Sequence, residues 1–86
     1  MPELSRFFGI VIGLFYTEHG RPHFHAAYAE FEAVIDIETG ETLAGKLPKR
    51  ALALVAEWHS EHKAELKENW ALARQQKVLK KIDPLE

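Results

Sequence analysis

The sequence predicts an α+β domain: a small antiparallel sheet of three to five strands, followed by one long bent helix or two helices. Three observations carry this. Residues 7–46 hold short apolar stretches separated by Gly and Pro, the punctuation of strands and turns. Residues 49–76 contain no Gly or Pro. Within them Leu52, Val55, Trp58 or His59, His62, Leu66, Trp70 and Ala73 recur at steps of three and four, the period of an amphipathic helix.

Taken in order, Phe7 to Tyr16 is apolar at both alternating sets of positions and reads as one central strand covered on both faces. Gly9 and Gly13 share a face of it and leave room for a close neighbour, most simply a helix. A Gly- and Pro-containing loop, 17–22, leads to a strand over His23–Tyr28, and a third strand runs Phe31–Ile37. Between them Ala29-Glu30 is short enough for a two-residue hairpin. That pairing sets Tyr28 opposite Phe31, Ala27 opposite Glu32, His25 opposite Val34 and His23 opposite Asp36. Phe24, Ala26, Tyr28, Phe31, Ala33, Ile35 and Ile37 then form an apolar wall, and a slip of one residue would drive acids into it. "ETGE" (38–41) is the next turn, and Thr42–Lys46 a short fourth strand.

Pro48 suits the first position of the helix. Charge pairs do not support that helix, because Glu57–Glu61, Glu61–Glu65 and Lys63–Lys67 are like-charged at four-residue spacing. Burial must hold it. Run straight from 48 to 76 it would measure about 43 Å at 1.5 Å per residue, too long for a compact domain of this size, so either a bend or break near Ser60 to Lys63 or a helix that overhangs into a partner is expected. Trp58 and Trp70 lie about 120° apart around a continuous helix, which puts one in the core and the other outside. "VLKKIDPL" (78–85) reads as a tail or a last short edge strand.

The 86 residues fit one domain: 1–46 mainly β, 47–76 helical, 77–86 tail. Apolar content of 47% and charged content of 28% are ordinary for a globular protein. No cysteine is present, which excludes disulfides and thiolate metal sites, leaves His and Asp/Glu as ligands, and fits a cytoplasmic protein. No signal peptide or membrane span is expected. The net charge of −2 gives no general attraction to nucleic acid. The charge is uneven, however: residues 30–41 carry five acids and no base, and 74–81 carry four bases and no acid.

The functional signal is "HGRPHFHA" (19–26), three of the five histidines within seven positions. In a strand His23 and His25 share a face, opposite Phe24 and Ala26. On the expected hairpin Glu32 and Asp36 join them, and His19 is close enough in the preceding loop to swing in. Two imidazoles and two carboxylates suit a divalent ion such as zinc, nickel or manganese, with metal-assisted hydrolysis as the chemistry to test. His59 and His62, three apart on the helix, would complete the site only if the helix covers the histidine face. A His opposite an Asp is equally a simple cross-strand ion pair. No nucleophile arrangement stands out, and the catalytic residues stay unknown. The metal site is the alternative; the leading reading is a partner-binding or regulatory module rather than an enzyme, with a protein partner or a second copy. In that reading Lys46, Lys49 and Arg50, at the helix start, contact an anionic partner. A nucleic-acid-binding regulator is a further alternative, weakly supported because the net charge is negative.

Several stretches together resemble the bacterial domain-of-unknown-function family 4160: "SRFFGIVI" (5–12), "HGRPHFHA" (19–26), "AVIDIETGE" (33–41), "LPKRAL" (47–52), "EWHSEH" (57–62), "ENWALAR" (68–74) and "KKIDPL" (80–85). The most specific is His19-x-x-Pro22-His23-Phe24-His25. Relatives are expected to carry two prolines before the second histidine, where this chain has Arg21-Pro22. The resemblance implies a small bacterial protein, sometimes labelled a transcriptional regulator and associated with toxin–antitoxin-like operons. It implies no catalytic residues.

Overall fold

A computed structural model describes residues 1–86. Five strands, β1 (Glu3–Phe7), β2 (Ile10–Gly13), β3 (His23–Tyr28), β4 (Phe31–Asp36) and β5 (Thr42–Lys46), precede one helix, α1 (Lys49–Arg74). The sheet is an antiparallel meander in the order β1-β2-β3-β4-β5. This is the α+β architecture the sequence predicts.

The N-terminal strand needs correcting. Phe7–Tyr16 is not one strand. Phe8 (φ +49°) and Gly9 (φ +81°) form a two-residue turn, so Phe7 pairs with Ile10 and the chain reverses. Both turn residues occupy the left-handed region that such hairpin loops demand. Phe is a poor residue for that task, and the turn was therefore invisible in an unbroken apolar run. Gly9 consequently makes no room for a helix. Gly13 does make room, but for the N-terminus: a Cβ there would lie 2.5 Å from the Pro2 carbonyl oxygen.

The β3–β4 hairpin has the expected register, with His23 across from Asp36 and Tyr28 across from Phe31, around a turn in which Ala29 takes φ +52°. The apolar wall therefore forms. Phe24, Ala26, Ala33, Ile35 and Ile37 are fully buried, and the helix covers them with Ala51, Val55 and Trp58. Trp58 sits at the centre, its ring 5.5 Å from that of Phe7 and 6.0 Å from that of Phe24.

A straight helix of this length would span about 39 Å, beyond the 34 Å long axis of the molecule. The helix is broken within the expected window, at His62 (φ −125°, ψ 19°). The kink re-aims the second half, which corrects the reading of the tryptophans. Both are buried, Trp58 completely and Trp70 to 9% exposure, because the 120° offset holds only for a continuous helix. The tail is not an edge strand. It runs beside β1 with a single backbone bond, Ile82 N–H to Leu4 O. It buries Ile82 and Leu85, and its Asp83 carbonyl accepts the Trp58 indole N–H at 2.9 Å.

Candidate metal centre

Because α1 lies on the apolar wall, the opposite face of β3 keeps its histidines away from the helical ones. His23 and His25 are nonetheless buried, at 8% and 7% exposure. The ring of Trp70 lies 5.1 Å from that of His23, and Phe15 meets His25 edge-on at 4.9 Å. The lid over them is Glu18, from the loop between β2 and β3. One of its oxygens lies 2.8 Å from His23 Nε2, and the other contacts His25 Nε2. One ligand atom from each of Glu18, His23 and His25 falls within 4.8 Å of the others.

The remaining ring nitrogens are also engaged. His23 Nδ1 donates to the Arg21 carbonyl at 2.8 Å, and His25 Nδ1 faces Glu32 Oε2 at 3.2 Å. A carbonyl or carboxylate can only accept, so each Nδ1 must carry the hydrogen. In a neutral imidazole each Nε2 would then present a lone pair to the carboxylate of Glu18. Lone pairs do not attract one another, so a cation must stand between them. Two protons satisfy the arrangement, making two imidazolium ions. One divalent metal ion does so with the same charge. An Nδ1–H held by a carbonyl or carboxylate is also the outer-shell pattern that fixes metal-ligating histidines.

The electrostatics follow from these contacts. Burial alone would raise the pKa of Glu18, but hydrogen bonds from His23 and His25 outweigh it and hold the carboxyl below its usual value. Burial alone would lower that of His23. Its bond to the Arg21 carbonyl and the adjacent Glu18 charge reverse this and raise it.

The other candidates are placed elsewhere. His19 is exposed and takes no part in the cluster; its neighbour Glu18 supplies the third group. Asp36, although across from His23, turns to its own loop. It accepts the backbone N–H groups of Glu38 (2.7 Å) and Thr39 (3.1 Å) and pairs with Arg21 at 2.5 Å. Burial opposes ionisation of Asp36, but those N–H groups and the guanidinium keep its pKa below the ordinary value. Glu32 backs His25 rather than joining the three converging groups. His59 lies under the other face, its Nε2 2.6 Å from the Ile37 carbonyl oxygen. His62 sits at the kink, bonded to Glu65 at 2.6 Å. Neither helical histidine reaches the β3 pair: His59 lies on the half of α1 that covers the apolar wall, His62 sits at the kink, and Trp70, beyond it, packs against His23. Sequence reasoning missed Glu18, and the available signal was an acid within a loop that must fold back over a His-x-His strand.

A family model described as a domain of unknown function, DUF4160, matches residues 9–71. The chain belongs to the DUF4160 family. The DUF4160 match takes in Glu18, His23, His25 and Glu32, and most of α1. Comparison with curated proteins and with solved structures gave no match.

Proposed function

We propose that this DUF4160 protein binds one divalent first-row metal ion through His23 Nε2, His25 Nε2 and the Glu18 carboxylate. The observation that carries the reading is the commitment of both Nδ1 atoms to acceptors while both Nε2 atoms aim at one carboxylate. Two His and one carboxylate make a three-ligand set that zinc and other first-row ions accept. When bound, such an ion leaves a position for a water molecule whose acidity it raises, the chemistry of metal-assisted hydrolysis. The protein's part is to hold the imidazoles by Arg21 and Glu32 and to shield the site with Phe15 and Trp70.

Isothermal titration with zinc tests this. The expected result is one site per chain, abolished in the His23→Ala/His25→Ala double variant and strongly weakened in Glu18→Gln. Below pH 6.5, where the raised pKa of His23 keeps that ring charged, binding should release at least one proton. Comparing buffers of different ionisation enthalpy reads that number. No binding heat, or binding that survives the double variant, would overturn the proposal.

A further inference from the structure

We infer that the end of the apolar wall farthest from the histidines is a docking site for an acidic peptide segment of a partner protein. The segment would seat one large apolar side chain between carboxylates. The site is a pit of about 90 Å³ lined by Phe8, Ile10, Tyr28, Arg50, Ala51 and Leu54, beside Pro48. Small-molecule pockets run to roughly 300–1,000 Å³, so this one has room for a single side chain.

Two independent features select the occupant. The first is Phe8. It is 59% exposed and holds φ +49° at the tip of the β1–β2 turn, a backbone conformation that disfavours an aromatic residue. Its side chain is left on the rim of the pit rather than buried in the core. A strained, exposed aromatic beside a cavity is the pattern of a ligand clamp.

The second feature is charge. Arg50 lines the pit and Lys49 adjoins it, and neither makes an ion pair. Lys46, the third base of the group, is set across from Glu32 in the sheet, so Lys49 and Arg50 provide the excess. The first turn of α1 holds no acid, and no side chain caps it. Its leading N–H groups add to the positive field. Carboxylates flanking the apolar anchor complete this arrangement, and cationic peptides are repelled by it.

The test is a ¹⁵N-HSQC titration at low salt with three probe peptides. These are acetyl-Asp-Glu-Phe-Asp-Glu-amide, the same peptide with Gly for Phe, and acetyl-Lys-Lys-Phe-Lys-Lys-amide. The first should give saturable shifts confined to the amides of Phe8, Ile10, Tyr28, Arg50, Ala51 and Leu54, and the other two should give none of comparable size. Arg50→Glu and Phe8→Ser should each weaken the first peptide about fivefold or more. Arg50→Glu leaves folding intact, because an acid in the first helical turn is favourable. Equal shifts from all three peptides, shifts elsewhere on the surface, or concentration-dependent dimerisation through Phe8 would each overturn the inference. Metal-free protein serves throughout, so the outcome is independent of the metal reading.

Discussion

Glu32 gives the sharpest separation between a metal centre and a plain ion-pair cluster. Its carboxylate touches His25 Nδ1 at 3.2 Å, and its side chain is 60% exposed. Consider Glu32→Gln. In the metal-free protein the contact is a solvent-screened surface interaction, so its loss costs at most about 1 kcal/mol. In the metal-bound protein Glu32 orients the ring and raises its basicity, and losing such an outer-shell acceptor typically weakens metal binding by about 10–100-fold. The distance is long for a charge-assisted bond and the group is wet. Both place the effect at the lower end, about tenfold, or about 1.4 kcal/mol. The assay pairs zinc titration calorimetry with thermal melting of the metal-free variant. The expected result is a melting temperature lowered by no more than about 4–8 °C with a tenfold higher Kd. An unchanged Kd would refute the orienting role. A loss as large as that of Glu18→Gln would show that Glu32 is itself a ligand, contrary to the geometry.

Three further predictions follow from the same contacts. The pKa of His23 is raised above 6.5 and that of Glu18 is lowered below 4.5. The imidazolium's contribution is therefore complete below pH 6.5 and lost as pH rises through the raised value; the carboxylate's is complete above pH 4.5 and lost as pH falls through the lowered one. Metal-free melting temperatures should be highest between these limits, and stabilisation by zinc should grow above them as protons cease to compete; zinc stabilisation that falls with rising pH would count against the site. Asp36→Asn should narrow the acid response: the lowered pKa of Asp36 gives stability that is present above its ordinary 3.8 and lost as pH falls through the shifted value. The stability gap between parent and variant should then be constant near neutrality and close in acid, as urea denaturation at several pH values would record. Gly45→Ala puts a Cβ at φ +71° and 2.2 Å from the Glu32 carbonyl oxygen, which is backbone and cannot step aside. The left-handed conformation and the disrupted β4–β5 pairing together cost about 2–4 kcal/mol, a fall of roughly 10–25 °C in Tm for a domain this size.

What the sequence discloses divides by how local the cause is. The β3–β4 register could be read because the alternation of Phe24, Ala26, Ala33 and Ile35 with polar neighbours allows one pairing and penalises the next. The break at His62 could be read because helix length and domain width conflict. The Phe8-Gly9 turn could not, since nothing in "SRFFGIVI" separates a reversal from a continuous strand when the turn position holds an aromatic residue. The expectation that one of the two tryptophans lies outside fails for a related reason. A kink of unknown angle destroys the rotational bookkeeping that periodicity relies on, and both rings are then buried, Trp70 against His23.

The site shows the same division, and its logic goes one step further. His23 and His25 share a face by strand geometry alone, and Glu32 adjoins them by register. Glu18 comes from a loop with no period, and its approach depends on where the chain re-enters at Pro22. That re-entry is fixed by two contacts of the loop itself, Ile37 N–H to the Pro22 carbonyl at 3.0 Å and Arg21 to Asp36. Asp36, which the sequence offers as a ligand, thus acts by anchoring the loop whose Arg21 carbonyl holds His23 Nδ1. An acid that looks like a ligand in the linear pattern is the brace, and an acid that looks like loop is the one that would hold the proposed ion. The distinction is physical: Asp36 has its oxygens occupied by N–H groups and a guanidinium, whereas Glu18 has both of its oxygens on the histidines' Nε2 atoms. Only the second arrangement can exchange its protons for a metal ion without dismantling the fold around it.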